Sequence, residues 1–135
     1  MTLIVCFDAG RGVTFFGKRQ SADAEVKRRI VKIASGKPIY MTEYSASLFR
    51  DTGAHVRVTS DLASAPSGSI VFAECADISR IGKNIDRLVI YRWNRKYPRD
   101  GVADFYPFDG GMSLRSIVDF AGSSHERVTE EIWEA

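Results

Sequence analysis

KPIYMTEYSASLF (residues 37–49) and SIVFAECADISRI (residues 69–81) decide how this chain is read. Each carries a short apolar run straight into a segment with helical spacing, the pattern of a buried strand turning into a helix. Nucleotide-binding α/β proteins place glycines and a cationic residue at such junctions, because a helix N-terminus and open backbone amides grip phosphate. Here the junctions carry Glu43 and Glu74. A carboxylate in a phosphate grip repels what the grip is built to hold. The two stretches therefore predict an α/β frame without the usual nucleotide chemistry.

The rest of the chain extends the same pattern. LIVCF (3–7) reads as a central strand, and DAGRGVTFFGKRQ (8–20) as a loop with three glycines and exposed Phe15 and Phe16. Ser21 is the expected N-cap of a first helix, with Asp23 and Glu25 supplying negative charge to its first turn. Val26, Ile30 and Ile33 form the apolar stripe, Lys27, Arg28, Arg29 and Lys32 cover the remainder, and Gly36 and Pro38 stop the helix. PIYM (38–41), HVRVT (55–59) and IVFA (70–73) read as strands, with EYSASLFR (43–50) and ADISRIG (76–82, ending at Gly82) as short helices. IDRLVIYRW (85–93) is the longest strand, placing Leu88, Ile90 and Arg92 on one face and Val89, Tyr91 and Trp93 on the other. A long loop over residues 94–111 precedes two final strands, SLRSIVDF (113–120) and RVTEEIW (127–133). The order βαβαββαβββ predicts a single α/β domain over residues 1–135. Its mixed sheet is parallel in the core, ends in an antiparallel C-terminal hairpin, and is flanked by short helices.

Composition narrows the class. The 135 residues are 44% hydrophobic and 27% charged, enough for one core without disulfides or metal. No apolar run reaches the roughly 20 residues of a membrane span, MTLIVCFD does not read as a signal peptide, and the cytoplasm is the expected compartment. Cys6 and Cys75 are the only cysteines, so neither a disulfide framework nor a zinc site is expected. The charge is uneven: residues 1–99 hold 17 Lys/Arg against 9 Asp/Glu, and residues 100–135 hold 2 against 8. Such a split suits either a polyanion on one face or two oppositely charged parts of the fold that pair with each other.

The ordered landmarks resemble the dihydrofolate reductase family along nearly the whole chain. LIVCF is similar to the family's first strand, and the glycine-bearing loop after it to the mobile active-site loop. KPIYMTEYSASLF is similar to K-P-x-x-M-G-R-x-T-x-x-S-[IL]. SIVFAECADISRI followed by IDRLVIYR is similar to V-x-G-G-x-x-[IL]-Y, a short helix, and A-D-x-L-x-L-T. Asp104-Phe105-Tyr106-Pro107 is similar to D-T-x-F-P, and DFAGSSHERVTEEIWEA to the closing hairpin. The resemblance implies a dihydrofolate-reductase-like fold.

The departures fall on the cofactor. Where the family's glycine and arginine contact the NADPH phosphates, this chain has Thr42 and Glu43, with only Ser45 keeping a hydroxyl. Where paired glycines admit the pyrophosphate, it has Glu74 and Cys75, with Ser79 near the tyrosine position. A carboxylate 4 Å from a phosphate costs about 1 kcal/mol in water and about 4 at a partly buried site. The lost arginine removes roughly another 1.5–3 kcal/mol. The segment between HVRVT and SIVFA, where the family builds its adenosine lobe, is also short. NADPH is thus disfavoured, and no cofactor or metal is expected. On the pterin side, Glu25 aligns best with the family's ring-binding carboxylate, Asp23 next. Tyr91 stands where the family has a supporting threonine, and the tryptophan expected before the helix is replaced near Arg19 and Gln20.

Three functions follow as expectations. The first is a small-molecule-binding protein for a pterin-like or cationic ligand. Its pocket would lie near Val5, Phe7, Glu25, Glu43, Glu74, Cys75 and Tyr91, with Glu25, Asp23 and Tyr91 as the candidates for any catalysis. The second is a divergent pterin or folate oxidoreductase with altered cofactor use. The third is a nucleic-acid-binding or RNA-processing protein. It would use the interleaved cations and aromatics of residues 92–99, namely Arg92, Trp93, Arg95, Lys96, Tyr97 and Arg99. His55 and His125 stand 70 residues apart, and His125 beside Glu126 is the only nearby His–acid pair in sequence. Cys6 and Cys75 would lie on adjacent strands if the resemblance holds.

Overall fold

The computed structural model describes residues 1–16, 18–81, 85–105, 107 and 111–135. Ten strands and three α-helices occur among them, in the order β1 (Thr2–Phe7), β2 (Gly12–Phe15), β3 (Lys18–Arg19), α1 (Ala24–Ala34), β4 (Ile39–Met41), α2 (Glu43–Ala46), β5 (Val56–Val58), β6 (Ile70–Phe72), α3 (Ile78–Ile81), β7 (Arg87–Arg92), β8 (Gly101–Val102), β9 (Ser113–Phe120) and β10 (Val128–Glu134). Seven strands form one mixed sheet in the order β5-β4-β6-β1-β7-β10-β9. From β5 to β7 every pairing is parallel, and β10 and β9 close the sheet antiparallel. The expected parallel core and antiparallel C-terminal hairpin are both present.

Period-two patterning builds two cores, one on each face. Leu3, Val5 and Phe7 of β1 join Val71, Leu88, Ile90 and Trp133 on one side; Ile4 joins Ile39, Met41, Phe72, Val89 and Tyr91 on the other. The expected split of β7 into Leu88/Ile90 and Val89/Tyr91/Trp93 holds. Helix α1 covers the second face with Val26, Ile30 and Ala34, while Ile33 is only half-buried. Strands buried on both faces are what a parallel sheet under helices requires.

The uneven charge is resolved within the fold. Acidic β10 pairs with cations from the basic segment, residues 1–99: Glu130 with Arg29 at 3.0 Å, Glu131 with Arg92, and Glu134 with Arg87 at 3.4 Å. The Tyr91 hydroxyl donates to Glu130 Oε2 at 2.8 Å inside the core. Burial and the adjacent Glu130 carboxylate push the Tyr91 phenol up, so it remains a donor.

Two expectations need correction. The stretches 8–20 and 94–111 are not simply loops: β2 pairs with β3 and, remotely, with β8 from the second stretch in a separate three-stranded sheet of order β3-β2-β8. At Gly101 an added Cβ would meet Thr14 Oγ1 at 2.1 Å, so a larger residue on β8 would force the Thr14 side chain to turn away. That pairing partner is far along the chain and invisible to local patterning. The cap of α1 is Asp23, not Ser21; its carboxylate accepts from the amides of Glu25 and Val26. Both residues are good caps, and Asp23 takes the role because a distant loop holds its side chain in place. Ile81 ends the described part of α3; the expected stop at Gly82 and Tyr106 of the residue 104–107 motif lie outside the described residues. Asp104 of that motif accepts from the amide and hydroxyl of Ser79 and so fixes the start of α3. No described helix is long and apolar enough to cross a membrane.

Candidate functional site

Open α/β sheets gather ligands beyond the carboxyl ends of their parallel strands, where the strand order reverses. Here β1 lies between β6 and β7, and Asp8, Thr42, Glu74 and Asn94 follow or closely follow β1, β4, β6 and β7. Asp8 organises one side. It is fully buried and accepts from the amides of Gly10 and Gly12 at 2.8 and 2.7 Å, with Tyr97 N and Gln20 Nε2 at 3.3 and 3.2 Å. Burial pushes its carboxyl up, and these hydrogen bonds more than reverse that, leaving it below the ordinary range.

Glu74 organises the other side. Its side chain is 9% exposed and receives Arg19 as a fork, Nε to Oε2 at 2.6 Å and Nη2 to Oε1 at 2.9 Å. Ser45 Oγ donates to Oε1 at 2.7 Å. The Arg19 guanidinium also stacks 4.3 Å from the Tyr44 ring, and its hydrogen bond to Glu74 raises its affinity for its proton further. Between Cys6, Arg19, Gln20, Ser21, Glu74 and Trp93 only about 10 Å³ of crevice is left. Gln20 Oε1 is buried there without a hydrogen-bond donor among the described residues. A larger groove of about 320 Å³ shares Glu74 and runs past Thr42, Asp61, Cys75, Asp77 and Arg80. The groove thus carries Asp61, Glu74 and Asp77 with Arg80, and Glu74 is already paired with Arg19, while an unmatched buried acceptor lies alongside.

The sequence candidates are dispersed around this end. Glu74 and Cys75 line the groove together. Glu43 begins α2 and is exposed. Glu25 is on the surface of α1, paired with Arg28 at 3.0 Å. Val5 and Phe7 belong to one core face and Tyr91 to the opposite one, so these three are not brought to one site. Cys6 and Cys75 are free thiols on or just after the adjacent strands β1 and β6; burial pushes both thiols up, so neither is an activated thiolate. Of the residue 92–99 set, Trp93 is buried against His125, Arg92 pairs with Glu131 and Arg99 lies 3.5 Å from Asp8. Arg95 and Lys96 are exposed, with Arg95 5.8 Å from the ring of half-buried Tyr97.

A second cluster was not legible in the sequence. Asp23 Oδ2 lies 3.0 Å from His125 Nδ1, and His125 Nε2 lies 3.0 Å from both Ser21 Oγ and Tyr97 Oη. Asp23 also accepts from the amides of Ser123 and Ser124. Burial pushes the Asp23 carboxyl up, but the hydrogen bonds from His125 and these amides hold it well below the usual carboxylate range. His125 lies on the turn between β9 and β10 and Asp23 caps α1, so only the closed hairpin brings them together. The local trace is the turn composition of GSSHE (residues 122–126), which does not name Asp23 as its partner.

Gly122 makes the contact feasible. A Cβ there would meet Asp23 Oδ2 at 2.5 Å and the His125 carbonyl at 2.9 Å, neither of which is free to move. Gly122→Ala is expected to lose about 2 kcal/mol of stability, measured by urea denaturation, through displacement of this turn. An unchanged midpoint would show that the turn does not depend on the Asp23 contact.

No protein-family model matches the chain, and no curated protein matches it significantly.

Proposed function

We propose that the chain is a dihydrofolate-reductase-like small-molecule-binding protein that does not use NADPH in that family's manner. Its ligand is a small cation rich in N–H donors, of amidine, guanidine or aminopyrimidine type. The observation that carries this reading is the Arg19–Glu74 fork: the carboxylate beyond the end of β6 already holds a guanidinium, supplied by the chain itself. Gln20 Oε1 supplies an unmatched acceptor and the adjoining groove two further carboxylates, Asp61 and Asp77. The order of landmarks along the sheet supports the family reading: a central first strand, β6 beside it, and a closing antiparallel hairpin.

Calorimetry on the full chain tests this. 2,4-Diaminopyrimidine is expected to bind near neutral pH, and Glu74→Gln to weaken it by about 10- to 100-fold, the worth of one charge-assisted contact. NADPH is expected to bind no tighter than about 0.1 mM, since it must approach Glu74. Micromolar NADPH binding, or a diaminopyrimidine affinity indifferent to Glu74→Gln, overturns the reading.

A further inference from the structure

We propose that Ser21, His125 and Asp23 form a nucleophilic acyl-transfer site acting on carboxylic esters with a small acyl group. Ser21 Oγ lies 3.0 Å from His125 Nε2, and His125 Nδ1 lies 3.0 Å from Asp23 Oδ2. Hydroxyl, imidazole and carboxylate follow in the order that turns a serine into a nucleophile, and such trios are identified by geometry and role rather than chain order. Ser21 and Asp23 reach His125 across 104 and 102 residues of chain.

Each member has the surroundings its role needs. Asp23 is 3% exposed and, as a carboxylate, can only accept. His125 Nδ1 therefore donates to it, and in the neutral imidazole Nε2 keeps its lone pair toward the two hydroxyls. Trp93 stacks on the imidazole at 4.6 Å between centroids and 20° between planes, which fixes the ring. Ser21 is half-buried and lines the crevice beside Arg19 and Glu74, and the proposed acyl group would take that crevice by displacing the Arg19 guanidinium. Tyr97 Oη, also 3.0 Å from Nε2, competes with Ser21 for the same lone pair.

The chemistry closes with water as the only co-reactant. Ser21 Oγ attacks the ester carbonyl carbon while its proton passes to His125 Nε2. The bond from that carbon to the alcohol oxygen breaks, and Nε2 returns the proton to the departing oxygen. Water then attacks the acyl-Ser21 ester, giving its proton to Nε2, and the carboxylic acid leaves as Ser21 recovers its proton. Asp23 is a positioning residue that holds the imidazole in the right tautomer. The two sides of the trio differ in size: about 10 Å³ on the Ser21 side and a cavity of about 640 Å³ on the His125 side. His125 protonates the leaving group, so the larger, alcohol-derived part belongs on its side. Arg95 and Arg127 against Glu126 line that cavity and fit an anionic or phenolic leaving group.

The test is independent of cation binding. The full chain is treated with a fluorophosphonate probe, followed by intact-mass and peptide mapping, and with p-nitrophenyl acetate. One label per chain on Ser21 is expected, lost in Ser21→Ala together with at least a 100-fold fall in ester hydrolysis. His125→Gln should slow labelling at least 100-fold, and Tyr97→Phe, which frees Nε2, should speed it several-fold. Nitrogen NMR should find Nδ1–H on His125 in the parent protein and a shift toward Nε2–H in Asp23→Asn, accompanied by slower labelling of Ser21, and it is this loss of labelling that a merely structural aspartate would not produce. No label on the parent chain, a label away from Ser21, or labelling unchanged in His125→Gln overturns the proposal. If His125→Gln does not fold, the partly exposed Ser21→Ala decides alone.

Discussion

Replacing Arg19 with methionine is expected to cost about 3 kcal/mol of stability, and replacing Glu74 with glutamine in the same chain to restore most of it. The reason is burial. Glu74 is 9% exposed and Arg19 21%, so removing the guanidinium strands a carboxylate that water reaches poorly. Breaking such a pair costs more than never having had it, because the remaining charge keeps its desolvation penalty. In the double variant the glutamine is neutral and keeps the Ser45 hydroxyl as a donor. The double-mutant cycle should give a coupling of at least about 1.5 kcal/mol in urea denaturation. A coupling below about 0.5 kcal/mol would show that the fork is a surface contact of little weight. The same variant opens the crevice, so a cationic ligand at a hundredfold excess over its Kd for Arg19→Met should stabilise that variant by about 2.7 kcal/mol, and the parent by less.

Asp23→Asn is expected to flatten the acid limb of the stability curve. Asp23 is depressed in the folded state relative to its unfolded value of about 3.9. The unfolded chain therefore binds more protons than the folded one in acid. The stabilisation from Asp23 is fully present above that unfolded value and is lost as pH falls through it toward the folded one. Asp8 is depressed in the same direction and adds to the slope. Above pH 5 the variant should be about 2 kcal/mol or more less stable than the parent, with the gap closing below pH 4. Urea midpoints at several pH values read this directly. A gap that stays constant down to pH 2 would mean that Asp23 holds the turn by shape rather than by charge.

Both effects concern contacts that one-dimensional patterning does not register. The strand–helix junctions at 37–49 and 69–81 were legible because alternation and caps are local, and Glu74 stood out because its charge contradicts its junction. Glu43 stood out for the same reason, but the first turn of α2 leaves it in solvent. Tyr91 was visible as a β7 core residue, while its acceptor Glu130 lies on a strand that pairs with β7 39 residues later. Trp93, read both on the Val89/Tyr91 face and among the interleaved cations and aromatics of residues 92–99, is buried with that face, and the β9–β10 turn brings His125 onto its ring.

The sequence by itself determined the α/β class, the order along the chain of the seven strands of the main sheet, the two-faced patterning of β7 and the acidic character of the β6 junction. These are set by residues within a few positions of one another, where side-chain period and capping act. Only the tertiary structure decided that Arg19 answers Glu74, that Asp23 rather than Ser21 caps α1, and that Ser21, His125 and Asp23 meet. Those outcomes depend on sheet closure, which sets residues 55 to 104 positions apart within 3 Å of each other, a proximity that no local pattern encodes.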